Sequence, residues 1–455
     1  MDLIIRNGTI VTADAVYTAD VGIEGGSIKQ IGQGLGTAGK TIDATGKHLF
    51  PGGVDAHTHV DFSLIGRQGV EDFYSGTCAA AAGGITTIID YALPEPGQTI
   101  QGSLETWHKK AKSKAVIDYA FHPAIFEPND KIIDEMADAV ADGYTSFKMF
   151  MFGFARFDEQ IAQYHKAIAR AGKLGAISNI HCEDNCLLTF ASAKFTAEGK
   201  FGVRYFADSR PRSAEGLAVQ RAIAMGRIAD APIYLVHLSC QEALEPIREA
   251  RANGQIVYGE TRPIYLHASR ERLEEPDGER FISWPPLREA SQQKILWDGL
   301  RDDNLQTVAT DHCGFNLEQK KTGKTVDELL PGFPNLETEL AMLYSEGVRK
   351  GRLSLQRFVQ VTSTNPAKLF GIFPQKGTIA AGSDADIVIF DTNKNMTIRH
   401  KDMHSNADYE PHEGFQVTGW PVQVLSRGEV VVENGKILGQ GGRGKLLKRN
   451  RFTPL

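Results

Sequence analysis

The chain has 455 residues, 42% hydrophobic and 23% charged, an ordinary globular composition able to bury a large core. Its 50 basic and 56 acidic residues leave a net charge of −6, which argues against a dedicated nucleic-acid binder. Five scattered cysteines without a CxxC, no apolar run near the roughly 18 residues of a membrane span, and no signal-peptide pattern point to the cytoplasm.

Residues 1–50 begin with "DLIIRNGTIVTA" and "VGIEGGSIKQIG", short apolar runs broken by Asn-Gly and Gly-Gly. Asn-Gly between β-branched runs is a strong hairpin signal, so β-structure is expected here. From 51 to 373 the pattern changes. Eight apolar runs, at 53–60, 84–92, 118–125, 145–152, 175–183, 232–239, 255–261 and 305–313, alternate with amphipathic segments such as "DEQIAQYHKAIARAG". That alternation predicts an α/β chain built as a (β/α)8 TIM barrel, with a doubly wound open sheet as the alternative. Residues 374–455 return to β style in "ADIVIFDTN" and "VQVLSRGEVVVENGKILG". The two flanks are expected to fold together as one small β-sandwich domain. The basic stretch "KLLKRNR" near the end reads as a solvated tail. "GQGGRGK" (439–445) nearly matches a phosphate-binding loop, but Leu446 stands where Ser or Thr would hold magnesium.

One run poses a question. "TSFKMFMF" (145–152) is apolar almost throughout, yet Lys148 sits in its middle. An unpaired ammonium is costly to bury, so such a lysine ordinarily snorkels or pairs. The other strands suggest a different answer. Barrel active sites sit at the C-terminal strand ends. Near those ends stand His57 and His59 on the first run, Lys148 on the fourth, His181 on the fifth, His237 on the sixth and Asp311 on the eighth. His-x-His places both imidazoles on one face of a strand. Metal-competent residues from five strands would thus meet at one mouth. A cationic lysine would be repelled there. A lysine that has reacted with CO2 is an anionic carbamate with two oxygens, and apolar surroundings favour the neutral amine that forms it. The residues predict a binuclear site. His57, His59 and Asp311 hold one divalent ion, His181 and His237 a second, and Lys148, as N6-carboxylysine, bridges them. Zinc suits these ligands, with manganese, cobalt or nickel as alternatives. The ions would share a hydroxide nucleophile, and Asp311 would also be the general base. Cys313 is not needed as a nucleophile.

"PGGVDAHTHV", "SFKMFM", "HCED", "VHLSC" and "ATDHC", with "AAGGITTIIDYA" and "PAKLFGIFPQKGTIAAGSDADIVIFD", resemble the motif series of the cyclic amidohydrolases, in particular bacterial hydantoinases and dihydropyrimidinases. The resemblance covers essentially the whole chain. It implies hydrolysis of a cyclic amide or imide bond in a small ureide ring, hydantoin or dihydropyrimidine giving an N-carbamoyl amino acid, by a homotetramer. No nucleic-acid or membrane partner is implied.

Three positions depart from that family. Its oxyanion-binding tyrosine, five residues after the bridging lysine, falls here on Gly153, between Phe152 and Phe154. Its serine before Pro-Pro is Trp284, with Ser283 one step early. Its asparagine of a Pro-Asn-Gly turn is Pro331, with Asn335 displaced. Phe152, Phe154, Ser283, Trp284 and Asn335 are therefore the candidate substrate contacts, in a more aromatic pocket suited to a bulky or unusual substituent. Dihydroorotases place an arginine two residues after the second histidine; Asp61 stands there and argues against them. An allantoinase-like enzyme and a non-catalytic scaffold relative are the alternative readings.

Overall fold

The computed structural model describes residues 1–153 and 157–455. Barrel strands 1 to 8 are Gly53–Thr58, Ile85–Ala92, Asp118–Pro123, Ser146–Phe150, Ile177–His181, Ile233–Leu235, Val257–Thr261 and Thr307–Val308. All pair in parallel with their neighbours in sequence. Single parallel bridges, Ala124 to Lys148 and Thr58 to His312, close the ring between strands 3 and 4 and between strands 1 and 8. This is the expected (β/α)8 barrel, not an open sheet. Strands covered by helices outside and filled by side chains inside are apolar along their length, and every residue of these eight is buried.

The outer helices follow the sequence pattern. Phe157–Lys173 buries Phe157, Tyr164, Ala167, Ile168 and Ala171, residues at helical spacing. Asp158 and Glu159 occupy its first turn and Arg170 and Lys173 its last, matching the helix dipole. Gly175 follows at φ 72°, a left-handed turn that glycine adopts freely. Ile100–Lys112 starts from Thr99, whose hydroxyl accepts from Gly102 N at 3.0 Å.

The flanks join in one nine-stranded sheet. Its seam is the antiparallel pairing of His48–Pro51 with Ile387–Phe390. Ile5, Val21, Ile23, Leu49, Ile387 and Leu425 form its own core. The small domain from both termini is thus as the turn signals imply. At the passage into the barrel, a Cβ on Gly52 would stand 2.0 Å from Thr86 Oγ1, so only glycine fits.

The basic C-terminal stretch is not a solvated tail. It lies across the N-terminal end of the barrel. Leu447 N donates to Tyr119 O at 2.8 Å, Arg449 N to Gly143 O at 3.0 Å and Phe452 N to Gly175 O at 2.8 Å. Arg449 is buried, with Nη1 on Ser146 Oγ at 2.7 Å and Nη2 on Phe121 O at 2.6 Å. The backbone of the stretch pairs with open backbone groups at the barrel floor while Lys445, Lys448 and Arg451 stay exposed. Among the described residues no helix is long and apolar enough to cross a membrane.

Candidate active site

Two barrel strands stop well short of the ends of their apolar runs, by four and five residues. Strand 6 stops at Leu235 and strand 8 at Val308. Beyond them the chain turns inward. His237 and Asp311 take left-handed backbone angles, φ 42° and 50°. Such angles in non-glycine residues cost energy and collect at functional sites.

The turns bring the expected residues together. Asp311 Oδ1 lies 3.1 Å from His57 Nε2 and 3.1 Å from His59 Nε2. The His237 ring centre is 5.3 Å from that of His57 and 4.2 Å from that of His181. Ligand atoms of His57, His237 and Asp311 all fall within 4.8 Å of one another. Lys148 is 1% exposed, with Nζ over the rings of Tyr91 at 4.5 Å and Phe150 at 4.8 Å. All six predicted residues line one cavity.

Burial sets the protonation states. It pushes the Lys148 ammonium down to about 8. It pushes His59 and His181 down to about 4, and His237 well below the usual imidazole range. Burial alone would raise Asp311, but Arg262 and His57 outweigh it and hold the carboxyl well below its ordinary range. Burial would lower His57 too, but Glu260 and Asp311 outweigh it and raise that imidazole. Neutral His59, His181 and His237 beside an ionised carboxylate form a donor set that a divalent cation requires. The buried Nδ1 of His237 has no hydrogen-bond partner. These donors fit a metal.

Residues 48–431 match the amidohydrolase family. The chain belongs to that family. It is 43% identical over 461 residues to a D-hydantoinase of Geobacillus stearothermophilus, covering 100% of this chain and 98% of that one. It is 41% identical to a D-phenylhydantoinase of Escherichia coli (strain K12 / DH10B), over 100% of this chain and 99% of that one. The crystal structure of dihydropyrimidinase from Brevibacillus agri NCHU1002 superposes with a TM-score of 0.97 at 45% identity, covering 100% of both chains.

Around this amidohydrolase centre stands a layer that the sequence reading missed. Glu260, inside strand 7, accepts from Tyr234 Oη at 2.7 Å and from His237 N at 3.0 Å, and lies 2.7 Å from His57 Nδ1. That contact fixes the His57 tautomer and leaves Nε2 free. Glu183 does the same for His181 Nε2 at 2.9 Å, and itself accepts from Arg210 Nε at 3.0 Å and Nη2 at 2.6 Å. Asp55 accepts from Thr310 Oγ1 at 2.5 Å and His57 N at 3.0 Å, tying strand 1 to the turn after strand 8. The available signal was alternation for Asp55, two residues before His57 within strand 1, whereas Glu183 lies past the end of strand 5, where no such period applies.

Ser283 and Trp284 line the cavity, beside Pro331 and Gly332. The Ser283 hydroxyl donates to Pro285 O at 2.8 Å. Phe152 stands behind, its ring 4.4 Å from His181 and 5.1 Å from Trp284, with the Arg210 guanidinium 4.8 Å above it. Asn335 is not among the lining residues; it is buried, and its amide donates to Thr310 O at 2.9 Å. Phe154 lies outside the described residues.

Proposed function

We propose that the protein opens a cyclic ureide ring, a hydantoin or a dihydropyrimidine, by hydrolysis to an N-carbamoyl amino acid. One observation carries this reading: the donor atoms of His57, His237 and Asp311 meet within 4.8 Å beside a buried lysine, in a chain alike over its full length to D-hydantoinases. In this reading His57, His59 and Asp311 hold one divalent ion and His181 and His237 another. Zinc suits these donors best, with manganese, cobalt or nickel as alternatives. When bound, the ions supply Lewis-acid activation of water and of the ring carbonyl.

The chain's own residues do the rest. The Lys148 amine, its charge disfavoured by burial, adds to CO2; an N–C bond forms and one proton leaves to solvent, and the resulting carbamate would supply anionic oxygen ligands to the ions. Glu260 and Glu183 keep protons on His57 Nδ1 and His181 Nε2 and so aim the other nitrogens inward. The Asp311 carboxylate takes a proton from the attacking water and hands it to the leaving ring nitrogen. Phe62, Leu64, Leu93, Phe150 and Trp284 make the wall apolar, which supports a bulky apolar ring substituent. A cytoplasmic homotetramer is proposed on the family resemblance, and light scattering after gel filtration tests the assembly.

The decisive assay is ring opening by protein prepared with zinc or manganese and bicarbonate. Hydantoin, aryl-substituted hydantoins, dihydrouracil and allantoin are compared, with Lys148→Ala as control. Turnover that vanishes in the control is expected. Metal-loaded protein that opens none of these rings would refute the proposal.

A further inference from the structure

Lys320 is a second fully buried lysine, outside the metal cluster and 0% exposed. It ends a short helix, Leu317–Lys320, held at its start by Asn316 and Gln319. Its Nζ donates to Ile282 O at 3.3 Å, to Leu330 O at 2.9 Å, and to Gly332 O. Three acceptors match the three N–H bonds of an ammonium.

The three carbonyls come from two separate loops. Ile282 immediately precedes Ser283 and Trp284, and Leu330 immediately precedes Pro331 and Gly332. Ser283, Trp284, Pro331 and Gly332 all line the cavity. A direct bond, Gly332 N to Ile282 O at 2.9 Å, joins the loops at the same place. Tyr409 Oη donates to Gly332 O at 3.4 Å from the far side. Lys320 itself is not in the cavity wall. Burial pushes this lysine down to about 7, and the three carbonyls favour its charged form. A buried lysine has thus been placed beneath the two loops that contribute Ser283, Trp284, Pro331 and Gly332 to the pocket.

We infer that Lys320 is a positioning residue for substrate: its Nζ, bonded to three carbonyls, fixes the 282–285 and 330–333 loops as one unit against which the ring is oriented. This rests on the ring-opening reading for its kinetic consequence, but the loop coupling is measurable without it. Loops held to sub-ångström order matter because a misplacement of about 1 Å can cost about 10²-fold in rate.

Lys320→Met keeps the unbranched side chain to within one atom of its length and removes all three donors. In holoprotein the expected result is unchanged metal content and kcat/KM for ring opening lower by about 10- to 100-fold, chiefly through KM. Amide hydrogen exchange should quicken in peptides spanning 280–286 and 329–334 and stay unchanged in 145–150. The exchange result separates the two claims. Wild-type protein that opens no ring defeats the functional reading, while faster exchange confined to both loops still supports the coupling. Unchanged exchange in the two loops, or unchanged KM with kcat lost, overturns the proposal. Lys320→Gln, which keeps two N–H donors, should fall between wild type and Lys320→Met in both readouts. Failure of both variants to fold would make Lys320 a structural residue and would also overturn it.

Discussion

The Arg262 guanidinium lies 3.1 Å from Oδ2 of Asp311, and Arg262 is fully buried. Its Nε donates to Thr310 O at 3.1 Å, and its plane sits 4.5 Å over the Phe333 ring. Asp311 is therefore gripped from behind, with Oδ2 on Arg262 and Oδ1 left toward His57 and His59. Removing one partner of a buried pair typically costs about 3–5 kcal/mol. Arg262→Met should lower stability by about 3 kcal/mol in chelator-treated protein, and less in holoprotein, where a cation replaces the lost partner. Denaturant midpoints with and without chelator measure the difference. Equal losses would mean that Arg262 does not act through Asp311.

Glu260 holds two proposed metal ligands at once, His57 through its ring and His237 through its backbone. Outer partners of metal ligands typically contribute about 10- to 100-fold in metal affinity. Glu260→Gln should lose metal to a competing chelator at correspondingly lower chelator concentration. Retention equal to wild type would show that the tautomer of His57 is set by something else.

Trp284 occupies the cavity wall against Phe152, ring centres 5.1 Å apart. If that wall holds a ring substituent, Trp284→Ala should reduce kcat/KM for aryl-substituted hydantoins by about 10-fold or more relative to unsubstituted hydantoin. An unchanged ratio would place the substituent elsewhere.

Arg449 donates to Ser146 Oγ and Phe121 O at the barrel floor, two residues along strand 4 from Lys148. Arg449→Met leaves both acceptors buried without that donor, a cost of about 1–3 kcal/mol. Thermal unfolding should shift down while kcat/KM at a permissive temperature stays at the wild-type value. Loss of activity without loss of stability would contradict a purely structural role for the tail.

What the sequence disclosed and what it hid follow one physical line. Period-two and helical patterns are local, so the eight runs and the helix Phe157–Lys173 were legible. Strand ends in a barrel share one rim, so His57, His59, Lys148, His181, His237 and Asp311 could be grouped before any coordinates. Partners distant in sequence could not. Glu260 meets His57 across 203 positions, and Arg449 meets Ser146 across 303, and no local pattern encodes either meeting. Lys320 and Lys321 look alike in the sequence, yet one is buried under two loops and the other bonds exposed Asp277. Asn335 stands near the place of the family's turn asparagine, but its amide turns back onto Thr310 O.

The central claim is a two-metal centre built around Lys148. The most direct measurement is the metal content of protein grown with zinc and bicarbonate, set beside Lys148→Ala prepared in the same way. The account predicts two ions per wild-type chain and a clear loss of bound metal in the variant. Two ions retained in Lys148→Ala, or none in the wild type, would contradict it.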